Sequence, residues 1–435
     1  MSDDHSLFSP SGAHRWLVCP ASVAMERMFP DTSSVYADEG TAAHFLAAKC
    51  LEYVRSAKEF MGQTIYVSEY QKGGGKAKTR TALSPPKEGK LRLAVLVDRD
   101  FAENVDGYVE YVREKRRQGG TFFAVEQKLS LSGVLGVPDQ FGTVDAVVVQ
   151  GQAKRLIVID LKYGKVPVSP AHNPQLMLYA AGANEAYSLI HGPFAEVTLV
   201  VYQPRVGLPQ EWSCTVPTLR AFADKAARAA QAIYPLRPPE AYEAVPGREQ
   251  CRFCRANGQC AAATNRVEEV VEVDFSEIAA VPQAAERAAL ASDEDLARAL
   301  QGVGFVENWC RAVRAAAFSR LADGREVPGF KLVRGRAGPR KWADKEALRA
   351  HIRKMVDNSN ASAGWVFSAR EPLSPAQMEK SLGKRKPNAW RAIEAQFVTR
   401  AEGALSVAPE DDPREAVRGV SGEMESAFAI GGQED

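Results

Sequence analysis

Between Gly142 and Lys162 the chain runs GTVDAVVVQGQAKRLIVIDLK. Leu156 to Ile159 is an unbroken aliphatic run with β-branched members, the composition of a buried strand. The upstream run Ala146–Val149 is of the same kind. If Gly151 to Lys154 form the turn of a hairpin, Val149 faces Leu156, and the same register sets Asp145 opposite Asp160. Directly opposed side chains share a face, with Cβ atoms about 5 Å apart. Lys162, two residues beyond Asp160, falls on that face too. The arrangement depends on register, because a slip of one residue would send every side chain to the other face. A carboxylate and an ammonium at the end of a core strand are costly to bury unless they pair or hold a metal.

The surrounding pattern predicts an α/β core with a mixed sheet. TFFAVEQKLSL, GTVDAVVV, RLIVIDLKY and FAEVTLVVYQP have strand character. HNPQLMLYAAGANEAYSLI has Asn173 as cap and Pro174 at the first helical position. TLRAFADKAARAAQAIY is a further helix. The first 60 residues look helical, clearest in EGTAAHFLAAKCLEYV with Thr41 as a cap. LRLAVLVDRDFAENVDGYVEYVREKRRQGG suggests one helix ending in a basic turn and two glycines. QKGGGKAKTR, 71–80, is a glycine-rich cationic loop. These features divide the chain into a domain over 1–265, a mostly helical accessory region over 266–415, and an acidic flexible tail over 416–435. No internal repeat is visible.

With 435 residues, 45% hydrophobic, the chain can bury a large core, and a formal charge of +1 supplies no global field for a polyanion. No stretch approaches the roughly 20 apolar residues of a membrane span. The N-terminus lacks an apolar signal core, which points to a cytoplasmic protein. Seven cysteines without a secretion signal favour reduced thiols or metal ligands over a disulfide framework.

Two carboxylates as close as Asp145 and Asp160 repel unless a cation lies between them. A hard divalent ion is satisfied by one or two carboxylates, waters and a phosphate oxygen. Lys162 could then orient or deprotonate a water, or neutralise phosphate charge. The simpler reading is a surface ion pair at a strand end. Gln175 and Tyr179, four apart, share a helix face and could bond a phosphate, a base or a water, or merely pack. His44 sits inside a helix, where a lone histidine is more often structural.

The order His44, GTVD ending at Asp145, DLK from Asp160 to Lys162 and QLMLY from Gln175 to Tyr179 resembles the RecB-type branch of the PD-(D/E)XK nucleases, whose restriction-endonuclease-like core is a mixed sheet flanked by helices. That resemblance covers residues 15–265. It implies that His44, Asp145, Asp160 and the Leu161 carbonyl hold Mg²⁺ or Mn²⁺, that Asp145, Asp160 and Lys162 are catalytic, and that Gln175 and Tyr179 position substrate. Glu126 falls nearby in FFAVEQKL and is not counted among the ligands.

CRFCRANGQC places Cys251, Cys254 and Cys260 within ten residues, a pattern suited to a metal or cluster. A structural zinc needs Cys₄ or Cys₃His, and a [4Fe–4S] cluster needs four thiolates. The spacing alone does not choose. A subset of RecB-type nucleases carries one cysteine near the N-terminus and three after the core, together holding [4Fe–4S]. By that resemblance Cys19 in HRWLVCPAS is the fourth ligand. Cys50, Cys214 and Cys310 have no such partners.

SPSGAHRWLVCPAS, PGFKLVRGRAGPRKW and LSPAQMEKSLGK also resemble a phage and prophage family catalogued as a domain of unknown function, over residues 5–415. Trp342 and Trp390 stand among Arg and Lys, a combination suited to single-stranded DNA, although solvated basic turns are the commoner cause. Ser374 caps a short helix.

The leading expectation is a metal-dependent DNA nuclease, an exonuclease at DNA ends, acting in phage recombination or replication in a bacterial host cytoplasm. A phage single-strand annealing protein is an expected partner, and no membrane is. The alternatives are an inactive DNA-binding or recombination module on the same scaffold, and a zinc-stapled interaction protein. Digestion polarity, strand preference and oligomeric state are not written in the sequence.

Overall fold

The computed structural model describes residues 6–29, 34–70, 78–271, 293–335, 340–357, 367–368, 371–400 and 404–417. The chain divides into two compact units, Met1–Val313 and Arg314–Asp435.

The first unit is built on a five-stranded mixed sheet, order β4-β5-β6-β7-β8. Its strands are β4 (Phe122–Ser130), β5 (Phe141–Gln150), β6 (Arg155–Leu161), β7 (Glu196–Tyr202) and β8 (Gln210–Thr215). The β5–β6 hairpin has the expected register, Val149 facing Leu156 and Ala146 facing Ile159. β6 and β7 run parallel, joined by a helix as a parallel crossover requires. The other neighbours are antiparallel.

Burial on both faces explains the continuous apolar run of β6. Ala146, Val148, Ile157 and Ile159 enter one core with helices α1 (Val35–Tyr53) and α2 (Arg99–Arg117). Val147, Val149, Leu156 and Val158 enter the other with α3 (Pro174–His191) and α4 (Val216–Ile233). Burying either Leu156 or Ile159 fully stabilises the fold by about 1.5–3 kcal/mol.

A three-stranded sheet, order β2-β1-β3, precedes this core, with β1 at Thr64–Tyr70, β2 at Lys78–Ala82 and β3 at Lys90–Leu96. It corrects two expectations. The segment LRLAVLV is β3 rather than helix, and α2 begins only after Asp98, whose side chain accepts from Phe101 N. Residues 78–80 of the glycine-rich segment are strand, and 71–77 lie outside the described residues. Thr41 caps nothing; Ser34 caps α1, and the Thr41 hydroxyl bonds back to Ala37 O inside the helix. Asn173 does cap α3, accepting from Gln175 N and Leu176 N, with Pro174 following.

The first unit extends past residue 265. Helix α5 (Ala261–Val271) packs with α6 (Asp293–Ala322), where Asn308 donates to Cys251 O and Trp309 to the Thr264 hydroxyl. These contacts move the division downstream of the boundary expected from the cysteine cluster.

In the second unit, β9 (Phe330–Arg334) pairs with β10 (Leu405–Pro409). Helices α7 (Lys345–Asp357) and α8 (Pro387–Phe397) enclose a small core. Ser374 caps the turn after it through Gln377 N. The tryptophans, weighed between base stacking and solvated basic turns, are core residues. Trp390 is 5% exposed, Trp342 donates to Leu373 O, and the two rings meet edge-on at 6.4 Å. Arg340, over Trp390, is paired with Glu379 and Glu394. Most of the expected acidic tail, from 418 onward, lies outside the described residues. Among the described residues no helix is long and apolar enough to cross a membrane.

Candidate functional site

β5 and β6 carry Asp145 and Asp160 to one end of the hairpin. Asp145 uses both oxygens. Oδ2 accepts from Leu161 N at 2.7 Å, and Oδ1 lies 3.2 Å from His44 Nδ1. His44 comes from the middle of α1. One turn earlier, Glu39 holds that helix to Arg205, after β7, at 2.7 Å.

Glu126 completes the group. Its Oε1 is 3.9 Å from His44 Nδ1, and ligand atoms of His44, Glu126 and Asp145 lie within 4.8 Å of one another. Glu126 has φ +47° in the middle of β4. A non-glycine residue in left-handed conformation stores of order 1–3 kcal/mol of strain, and such strain collects at functional sites. Its neighbours pair Val125 with Ala146 and Gln127 with Val144, so the register sets Glu126 against Asp145. That register was the signal available in the sequence for a residue left outside the expected ligand set.

On the far side of Asp145, the Lys162 ammonium lies 3.0 Å from Asp160 Oδ2 and donates to Gln175 Oε1 at 2.9 Å. Gln175 Nε2 in turn faces Asp160 Oδ1 and the Tyr179 hydroxyl, each at 3.3 Å. Asp160 is 2% exposed. Its Oδ2 faces the Lys162 ammonium. The six expected side chains are thus brought together. Leu161 contributes its N–H to Asp145.

The electrostatics follow from packing three carboxylates and two bases in a partly buried site. Burial opposes ionisation of Asp145, but the His44 charge and hydrogen bond, with the Leu161 N–H, outweigh it and hold its pKa low. Asp160 goes the other way: burial and the Asp145 charge push it up, against the pull of Lys162. Burial and then Asp145 raise Glu126 to about 7. Burial favours neutral His44, yet Asp145 and Glu126 lift it to about 9. For Lys162 burial is likewise overcome by Asp160 and Asp145, so the amine is held protonated and acts as a donor rather than a base.

The thiols form a second group. The Cys19 sulfur accepts from Val245 N at 3.3 Å, bridging 226 residues. The Cys251 sulfur accepts from Gly247 N at 3.3 Å. All seven cysteines are free. Burial raises the Cys19 and Cys251 thiols and pushes Cys254 up to about 12, with smaller contributions from neighbouring cysteines. Among the described residues no three sulfurs lie within 4.8 Å of one another. A tetrahedral zinc with bonds of 2.3 Å would hold them about 3.8 Å apart.

A family described as a protein of unknown function (DUF2800) matches residues 5–415. Among solved structures the chain is similar to one described as "Crystal structure of SSO0001", at 15% identity and a TM-score of 0.20, over 37% of this chain and 70% of that one. A likeness that slight carries no argument about fold or function.

Proposed function

We propose that this chain, which belongs to the DUF2800 family, is a metal-dependent deoxyribonuclease of the RecB-type PD-(D/E)XK kind that hydrolyses phosphodiesters at DNA ends. The observation that carries the reading is the convergence of Glu126 and Asp145 with His44, beside the Asp160–Lys162 pair. Carboxylates this close repel unless a cation is shared, and ligand atoms of His44, Glu126 and Asp145 already lie within 4.8 Å of one another. The donor set, oxygen with one imidazole, fits Mg²⁺ or Mn²⁺.

His44, Glu126 and Asp145 would hold the ion, with Asp160 and the Leu161 carbonyl added to them by the sequence resemblance. Bound there, it would supply Lewis acidity and a water of lowered pKa. Asp145, fixed by Leu161 N and His44, stays ionised. Lys162, protonated and oriented by Gln175 and Asp160, would place its charge beside the phosphate as negative charge builds up. Gln175 fixes that ammonium, and Tyr179 fixes the Gln175 amide.

Cys19, Cys251, Cys254 and Cys260 would hold a [4Fe–4S] cluster. A structural zinc on the same thiols is the alternative. A phage context, a bacterial cytoplasm and a single-strand annealing partner belong to the same proposal and come from the sequence resemblance.

The test is nucleotide release from end-labelled linear DNA by protein purified without oxygen, with and without Mg²⁺ or Mn²⁺. Release should require metal and be lost in Asp160→Ala. Full release by a folded Asp160→Ala protein would sink the proposal.

A further inference from the structure

Tyr108, on α2, is a large side chain of this core whose chemistry the site does not yet use. It is 1% exposed. Its ring packs in the cluster that contains Ala146, Ile159 and Leu161, the chain neighbours of Asp145 and Asp160, and meets Tyr202 edge-on at 5.7 Å. Nothing about that packing needs an oxygen. Yet the hydroxyl is buried with no hydrogen-bond partner among the described residues, a state that destabilises a fold. Phenylalanine would fill the same space without that cost.

The surroundings give the oxygen a purpose. After burial itself, the groups that act on the phenol are Asp145, Glu126 and Asp160, all of which keep it protonated. These are the carboxylates of the candidate metal centre. None is its hydrogen-bond partner, so a connection between hydroxyl and site needs an intervening water.

We propose that Tyr108 is a positioning residue of the metal centre: its hydroxyl donates a hydrogen bond to a water in the shell of the ion held by His44, Glu126 and Asp145. The inference rests on the metal-site reading above. Groups that orient a ligand from behind typically contribute 10- to 100-fold to metal affinity, and a donor from Tyr108 would do so without touching the ion.

The experiment is Mn²⁺ binding by calorimetry to the full chain without DNA, for wild type, Asp145→Ala and Tyr108→Phe. Thermal unfolding in chelator is measured alongside. Tyr108→Phe should bind Mn²⁺ about tenfold more weakly or worse, while its metal-free Tm stays level or rises because the orphan hydroxyl is gone. A purely structural tyrosine gives the reverse pattern. Unchanged Mn²⁺ affinity in Tyr108→Phe, or a lowered metal-free Tm, overturns this inference alone. Wild-type protein that binds no Mn²⁺, or binds it as well after Asp145→Ala, overturns the metal site and this inference together.

Discussion

Glu126 combines two costs in one residue, a left-handed backbone and a half-exposed carboxylate facing another acid. Glycine tolerates φ +47° and alanine does not. Glu126→Gly should therefore be more stable than Glu126→Ala by about 1 kcal/mol in urea unfolding, while both lose metal affinity. Equal stability would mean that the backbone there is unstrained. His44 makes a pH prediction for the metal-free protein. Its pKa rises from 6.5 unfolded to about 9 folded, so its charge stabilises the native state fully below pH 6.5. That contribution disappears as pH climbs through 9. The stability difference between wild type and His44→Gln, followed by urea unfolding across this range in chelator, should shrink with rising pH. A difference that grows with pH would show that His44 is neutral in the native protein.

At the scale of elements, the site depends on how closely α3 lies against β5. Gly142 occupies the closest point: a Cβ there would come to 2.6 Å from Pro10 Cγ and 2.8 Å from Tyr179 Cε1. Gly142→Ala must push the Tyr179 ring aside, and Tyr179 bonds Gln175, which holds Lys162. A cost of about 1–3 kcal/mol is expected from overpacking, with cleavage falling further than the stability loss explains. Wild-type melting and cleavage in that variant would show that α3 can shift freely. The hairpin was legible from sequence because its apolar runs and GQAK turn admit one register with both faces buried, and that register alone brings Asp145 to Asp160. The Asn173-Pro174 start of α3 was legible for a local reason, a cap followed by a residue that suits the first turn. β3 was not. LRLAVLV carries apolar residues at spacings that serve strand or helix, and only pairing with β1 decides between them. The burial of Trp342 and Trp390 was not legible because basic neighbours say nothing of it; Arg340 is neutralised by Glu379 and Glu394, which lie far along the chain.

Across the whole first unit, the thiol group acts on topology rather than on packing. Cys19 follows the first short helices and the other three cysteines follow α4, so a shared cluster would tie the start of the fold to its end across everything that carries the site. The Val245 N–H to Cys19 contact already spans 226 residues. In the chain-entropy account, cross-linking a loop of that length removes about 5 kcal/mol of unfolded-state entropy at most. Gly258 shows how tightly the segment is seated, since a Cβ there would meet the backbone of Ala312 and Val313 in α6. Cys19→Ala should therefore lose the cluster, measured as iron and acid-labile sulfide, and melt well below wild type. Cys214→Ala, in β8 and away from the group, should change neither. Zinc in place of iron would keep the staple and replace the cluster. A Cys19→Ala protein with full iron and an unmoved Tm would remove Cys19 from the ligand set and leave its N–H contact as ordinary packing.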